Sequence, residues 1–89
     1  MSFEIRYQDE NIWLTQKMMA ALYGVSVPAI SQHIKRIYED GELVPETTVK
    51  KYLTVQAESG IEKNRNLDHY NLQMIIAVRD SGYRAKNKS

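Results

Sequence analysis

The chain has 89 residues, enough for one domain and too few for two, so we treat residues 1–89 as a single unit. With 43% hydrophobic and 26% charged residues, its composition is that of a globular protein and excludes the disordered and fibrous classes. Cysteine is absent, which excludes disulfides and thiolate metal sites and fits a cytoplasmic protein. We expect no membrane span, because no apolar run approaches the roughly 18–20 residues that a span needs, and no signal peptide, because residues 1–4 lack its basic and apolar regions.

The net charge is only +1, so the distribution of the charges says more than their sum. Acidic and basic side chains collect in different segments of the chain. The acidic segments are residues 9–10 and 39–46, and the basic ones are residues 35–36, 50–51, 63–65 and 79–88. This segregation predicts one positive face on a nearly neutral body, and solvated charges scattered over the surface are the alternative.

The first residues predict a β-hairpin. Residues 3–7 (Phe-Glu-Ile-Arg-Tyr) alternate apolar and polar side chains, as a half-buried strand does. Residues 8–11 have the composition of a turn, and residues 12–14 (Ile-Trp-Leu) predict the returning strand. We therefore expect an N-terminal hairpin before the first helix.

Two short helices joined by a tight turn are predicted next. Thr15 and Ser26 each precede a run of helical periodicity, where a hydroxyl can accept a hydrogen bond from an unpaired N–H of the first turn. The two runs cover residues 16–23 and residues 27–38. Gly24 can adopt the left-handed conformation that ends the first helix at little cost. The pattern predicts a helix-turn-helix.

The second half of the chain predicts another hairpin. Residues 43–46 form a connector in this interpretation, and residues 49–55 have strand propensity. Residues 58–60 have the composition of a turn, and residues 67–70 predict the returning strand. The hairpin over residues 49–70 would be the wing of a winged helix-turn-helix.

A third helix is predicted at the C-terminal side. Asn71 is its expected N-cap, residues 72–80 its body and residues 81–82 its end, with residues 83–89 as a basic tail. Together these elements make the predicted fold class α+β, a winged helix-turn-helix with an N-terminal hairpin and a C-terminal helix. The predicted core comprises Trp13, Leu14, Met19, Leu22, Ile30, Ile34, Ile37, Leu72, Ile75 and Ile76.

The informative stretch for function is residues 16–35. Ala20 lies where the two helices would cross, because only a small side chain allows their close approach. Ile30 and Ile34 would hold the second helix against the first, leaving polar residues on its outer face. Those side chains are of the kinds that contact base edges or phosphates. The candidate DNA-binding residues of this helix are Ser26, Val27, Ser31, Gln32, Lys35 and Arg36.

Catalytic and metal-binding alternatives have little support in the sequence. His33 has no second ligand at a suitable spacing, so a partly buried histidine or one turned toward a phosphate is favoured over a metal ligand. Ser31 and His33 point in different directions from a helix and cannot form a base–nucleophile pair. Asp68 and His69 face opposite sides of a strand. We expect no enzyme activity, no cofactor and no small-molecule substrate.

A family resemblance accompanies these patterns. The chain resembles the N-terminal region of the RhuM family in residues 12–16, in residues 25–37 with Ile-Ser-Gln-His-Ile-Lys, in Glu42-Leu43 and in residues 70–86. RhuM proteins are bacterial, are often labelled as virulence proteins and are usually described as candidate DNA-binding proteins. Family members are several times longer, so the resemblance implies that this chain is an N-terminal part.

Two hypotheses of function follow. In the first, the domain binds duplex DNA in a sequence-specific way, as a transcriptional regulator would, with the helix over residues 27–38 in the major groove. The predicted wing would add contacts to phosphates or the minor groove. In the second, the same fold docks onto a partner protein or onto a second copy as a homodimer, because fold does not decide function. The wing residues of the first hypothesis are Lys50, Lys51, Lys63 and Arg65.

Overall fold

The computed structural model describes residues 6–8 and 10–87 and shows a small α+β domain, which confirms the predicted class. Each of its two sheets is an antiparallel pair of strands, β1 with β2 and β3 with β4. No helix within the described ranges has the length and apolar character needed to cross a membrane. The elements in chain order are β1 (Arg6–Gln8), β2 (Asn11–Trp13), α1 (Gln16–Tyr23), α2 (Val27–Glu39), α3 (Pro45–Thr48), β3 (Val49–Glu58), β4 (Ile61–Tyr70) and α4 (Leu72–Asn87).

The N-terminal hairpin is present and is tied to the end of β4. In β1 and β2, Gln8 lies opposite Asn11 and Arg6 lies opposite Trp13, and the predicted strand residues 3–5 lie outside the described residues. Leu14 then exchanges two backbone hydrogen bonds with Tyr70, of 2.9 and 2.7 Å. This bridge connects the start of the chain to the last strand.

The two predicted helices have the predicted caps. The Thr15 hydroxyl accepts a hydrogen bond from the Met18 N–H at 3.1 Å, and the Ser26 hydroxyl accepts one from the Ala29 N–H at 3.2 Å. Gly24 follows α1 with a φ of +66°, which most side chains would oppose. The bounds of α1 are as predicted, and α2 continues one residue further, to Glu39.

The predicted connector over residues 43–46 holds for residues 43–44 but was wrong for residues 45–46, which begin the short helix α3. Its last residue, Thr48, is fully buried, and the hydroxyl donates to the Val44 carbonyl at 2.7 Å. Because that proton is used, the Tyr38 hydroxyl donates to Thr48 Oγ1 at 2.8 Å. The C-terminal end of α2 is thereby fixed to the start of β3.

The β3–β4 hairpin is longer than predicted. Each strand has ten residues, with Val49 opposite Tyr70 at the base and Glu58 opposite Ile61 at the tip. The prediction that the returning strand begins only at Leu67 was wrong. Ser59 and Gly60 both have positive φ, of 53° and 77°, as a type I′ hairpin turn requires. A strand exposed on both faces needs no apolar alternation, so residues 61–66 carry little strand signal.

The last helix also exceeds its predicted bounds. The Asn71 side chain caps it as expected, accepting from the Met74 N–H at 3.1 Å. Residues 81–82 were expected to end it, but α4 continues to Asn87, so the prediction that a tail separate from the helix begins at residue 83 was wrong as far as the structure describes it. Gly82 lies inside this helix. Relative to alanine, a glycine inside a helix lowers stability by only about 1 kcal/mol, which tertiary packing can offset.

The core lies between α1, α2, α4 and the ends of β2 and β4. Burial confirms most of the predicted core, but Leu22, Leu72 and Ile76 are 60%, 43% and 39% exposed, so these three predictions were wrong. On α4 the buried stripe is turned toward Met74, Ile75 and Val78, because the helix packs mainly on α2. The confirmed core residues are Trp13, Leu14, Met19, Ile30, Ile34, Ile37 and Ile75.

Candidate nucleic-acid interface

The crossing of α1 and α2 determines which face of α2 is exposed and can form the candidate interface. Ala20 is buried there, together with Met19 of the same helix and Ile30 and Ile34 of α2. A small side chain at such a crossing allows two helix backbones to approach closely. The inner face of α2 is thus committed to the core, and its opposite face is left for solvent.

The outer face of α2 carries the predicted contact residues. Successive residues are turned by about 100° around a helix, so Gln32 and Lys35 project away from Ile30 and Ile34. Ser31 lies at the flank of the same surface. All of them are polar and exposed, as a surface that contacts base edges requires. The exposed candidates on and beside α2 are Ser26, Val27, Ser31, Gln32, Lys35 and Arg36.

The two ends of α2 differ in electrostatic character. The first two turns contain no acidic residue, and the backbone N–H groups at that end carry a partial positive charge. Beyond Arg36 the charged side chains are acidic instead of basic. Exposed carboxylates follow at Glu39, Asp40, Glu42 and Glu46. A polyanion would therefore be attracted to the start of α2 and repelled near its end.

The β3–β4 register divides the four predicted wing cations between two faces. Residues directly opposite each other share a face, and so do residues two apart on one strand. The pairs Lys50–His69 and Thr54–Arg65 therefore place Lys50 and Arg65 on the same face. Lys63, two residues before Arg65 on β4, lies on that face too. Lys51 lies on the other face, with its Nζ 2.9 Å from Asp68 Oδ1. All four cations are exposed, but only three of them share one surface.

An aromatic cluster fixes the base of this hairpin against β2. The ring of Tyr52 contacts Trp13 edge-on, with centroids 5.9 Å apart, and contacts His69 at 5.3 Å. The Lys50 ammonium lies 5.2 Å from the centre of the Trp13 ring. Lys50 therefore contributes to the base of the hairpin, while Lys63 and Arg65 lie farther out along β4.

The two histidines have structural contacts. His33 Nδ1 lies 2.9 Å from the Ser81 hydroxyl of α4, and Ser31 is not its partner. His69 is buried, and its Nδ1 donates to the Leu67 carbonyl at 2.8 Å. Asp68 is exposed on the opposite side of the strand. Among residues 6–8 and 10–87 there is no group of three or more His, Cys, Asp or Glu residues that could hold a metal ion.

A shallow groove lies between the α1–α2 turn and α4. It encloses about 240 Å³, and Tyr23 and Tyr83 form part of its walls. The Tyr23 hydroxyl donates to the Ile75 carbonyl at 2.6 Å. Burial raises the pKa of Tyr23, the Arg79 charge partly opposes this, and the Asp80 charge adds a smaller increase. The groove lies behind α2, because Ile30 and His33 contribute to its lining.

One surface was not identified from the sequence. Leu53 lies opposite Asn66 and Val55 lies opposite Asn64, and all four side chains are exposed on the face of the hairpin that carries Lys51. We call these four residues the amide–aliphatic patch. The Ser59-Gly60 pair, a strong signal for a two-residue turn, could have revealed the full register and with it this patch.

Comparison with known proteins does not assign the chain to a family. No protein-family model matches the chain, and no curated protein and no solved structure matches it either. The resemblance to the RhuM family therefore stays a prediction from sequence.

Proposed function

We propose that this chain is a winged helix-turn-helix domain that binds duplex DNA. The observation that carries the proposal is the division of α2 into a buried face with Ile30 and Ile34 and an exposed face with Gln32 and Lys35. A helix held this way by a preceding helix and a tight turn has the form of a recognition helix. In this proposal β3–β4 is the wing.

The exposed side chains of α2 include some suited to contacts with bases and others suited to contacts with phosphates. The Gln32 amide can pair with the N6 and N7 atoms of adenine, and the Ser31 hydroxyl can contact any base. Lys35 and Arg36 suit phosphates, which orient a protein without reading sequence. Sequence-specific binding of this kind is what a transcriptional regulator needs.

Charge supports an approach through the start of α2. The carboxylates from Glu39 to Glu46 would repel phosphates, so the end of the helix should point away from the DNA backbone. Lys63 and Arg65 share one face of the hairpin and can add phosphate contacts at a distance from α2.

A second candidate is a protein-interaction module, including a homodimer. The observation that favours it is an exposed apolar stripe on α4, formed at helical spacing by Leu72, Ile76 and Tyr83. This candidate predicts self-association in solution and no affinity for DNA. Sedimentation of the free chain at several concentrations, together with the DNA titration below, distinguishes the two.

The decisive experiment compares two neighbouring variants on two kinds of DNA. A preferred duplex is selected from a random pool, and its affinity and that of unselected duplex are measured. Gln32→Ala should cost about 1–3 kcal/mol on the preferred duplex and little on unselected DNA. Lys35→Ala should weaken both about equally, because a phosphate contact is independent of sequence. Equal binding of parent and Gln32→Ala to the preferred duplex would remove α2 as the reader.

Salt dependence tests the contribution of the hairpin. A protein that neutralises several phosphates loses affinity steeply as salt rises. Replacing both Lys63 and Arg65 with Gln should weaken binding to all duplexes alike and reduce the magnitude of the salt slope by up to about 2. A loss confined to one sequence would contradict a phosphate role, and a flat salt response of the parent would favour the interaction module.

A further inference from the structure

The amide–aliphatic patch is a compact exposed surface on the outer part of the hairpin. Its two cross-strand pairs, Leu53–Asn66 and Val55–Asn64, are adjacent in the register. Leu53 and Val55 are 55% and 58% exposed, which is high for strand residues of this type. Each apolar side chain therefore stands beside a primary amide, and the pattern is repeated once along the hairpin.

The charges around the patch argue against a phosphate as its partner. Toward the tip the next pair on this face is Ala57–Glu62, which adds a carboxylate, and toward the base it is Lys51–Asp68, an ion pair of 2.9 Å. The cations Lys63 and Arg65 lie on the opposite face. One side of the ribbon is thus cationic, and on the other side the patch itself presents neutral amide and aliphatic groups between a carboxylate and an ion pair.

We propose that the amide–aliphatic patch reads A·T base pairs in the major groove, as a second reading surface beside α2. This inference rests on the proposed function. An asparagine amide matches the N6 and N7 atoms of adenine, and an aliphatic side chain contacts the C5-methyl group of thymine. The two partners of each A·T pair correspond to the two kinds of side chain that the register places side by side.

The dimensions select the major groove. A two-stranded ribbon enters the major groove, which is about 12 Å wide, whereas the minor groove of about 6 Å is too narrow for it without deformation of the DNA. In the minor groove an A·T pair also lacks the thymine methyl group, so Leu53 and Val55 would have no specific partner there. With the patch facing the groove floor, the long side chains of Lys63 and Arg65 face outward and can reach the flanking phosphates.

The test uses duplexes selected from a random pool, in which single bases are then altered. Uracil in place of thymine removes only the methyl group from the major groove, and 2,6-diaminopurine in place of adenine adds an amino group only to the minor groove. We expect the selected duplex to contain one A·T segment outside the bases contacted by α2. In that segment, replacing thymine with uracil should weaken binding of the parent protein about two- to fivefold, and replacing adenine with diaminopurine should have no effect. At the same segment Asn66→Ala should weaken binding by about five- to a hundredfold.

The matched control is the double variant Leu53→Ala/Val55→Ala, with its folding checked by thermal melting. It should bind thymine and uracil duplexes equally, because it lacks the side chains that contact the methyl group. Asn64→Ala/Asn66→Ala should keep the preference for thymine over uracil while losing affinity. A uracil effect of the same size in parent and Leu53→Ala/Val55→Ala would overturn the inference, and so would a loss on diaminopurine.

Failure of this inference is distinguishable from failure of the proposed function. If selected duplexes bind with the expected dependence on Gln32 but tolerate uracil everywhere outside the α2 segment, only the second reading surface is rejected. If no duplex is enriched by the parent chain, sequence-specific DNA binding is rejected, and the second reading surface with it.

Discussion

The helical body and the outer half of the β3–β4 hairpin follow different physical rules. In the body, α1, α2 and α4 enclose side chains such as Met19, Ile30 and Met74, which are completely buried. In the outer half of the hairpin, residues 53–58 and 61–66, every side chain that the structure describes is exposed or only half-buried. The first region is held by apolar burial, and the second by backbone pairing and a two-residue turn.

The contrast separates side chains that stabilise the fold by being buried from side chains that remain exposed to solvent. A buried side chain in the body contributes about 1.5–3 kcal/mol by leaving water, whereas an exposed strand residue contributes little of this kind. A two-stranded ribbon is only marginally stable alone, so its base must be fixed, here by Trp13, Tyr52 and His69. The outer half therefore adds little to the apolar core, and its side chains remain accessible to solvent.

The largest expected effect comes from the body. Ile34→Ala should lower the free energy of unfolding by roughly 2–4 kcal/mol, because it leaves a cavity between α2 and its neighbours. Val55→Ala, on the outer hairpin, should change it by less than about 0.5 kcal/mol. Denaturant titration of both variants measures the difference directly. Similar losses in the two variants would contradict the division between body and outer hairpin.

The next effect compares two adjacent alanines of α1. Ala20→Leu should cost roughly 1–3 kcal/mol, since the added carbons must fit into the crossing of α1 and α2. Ala21→Leu adds the same atoms on the exposed side of the helix and should be nearly neutral. Thermal melting of both variants checks this. A neutral Ala20→Leu would show that the helices do not cross closely at this residue.

The smallest effect concerns alkaline pH. Because the pKa of Tyr23 is raised in the folded state, its contribution to stability is present below about pH 10 and lost as pH rises through the folded pKa. Tyr23→Phe removes the hydrogen bond to Ile75, so the parent should be about 0.5–1.5 kcal/mol more stable at neutral pH.

That advantage should narrow as the pH of the unfolding titration is raised above 10, because a phenolate cannot donate. The exposed Tyr7→Phe serves as the control and should follow the parent curve. A constant difference between parent and Tyr23→Phe across this range would show that the pKa of Tyr23 is the same in the folded and the unfolded state, contrary to the effect of burial.

Much of the body could be predicted from the sequence because its signals are local. Thr15, Ser26 and Gly24 mark helix ends through their own backbone and side-chain chemistry, and the α1 bounds followed from them. The exposed position of Gln32 and Lys35 followed from the helical period alone. The candidate contact surface on α2 was therefore predictable, although its partner was not.

The errors fall where a local signal was overridden or missing. Gly82 and Ser81 resemble a helix end, but Ser81 is buried in α4 and contacts His33 of α2. Leu72 and Ile76 have the apolar character of core residues, yet packing on α2 selects the neighbouring stripe of α4. Residues 61–66 lack an apolar face, so periodicity does not mark them as a strand.

The sequence by itself determined the helix caps, the tight turn at Gly24 and the polar outer face of α2, because these depend on residues within one or two turns of each other. Only the tertiary structure decided which stripe of α4 is buried, since that depends on the surface offered by α2. It also decided that Leu53 and Val55 stand beside Asn66 and Asn64, because cross-strand neighbours follow from the register between segments distant in the chain.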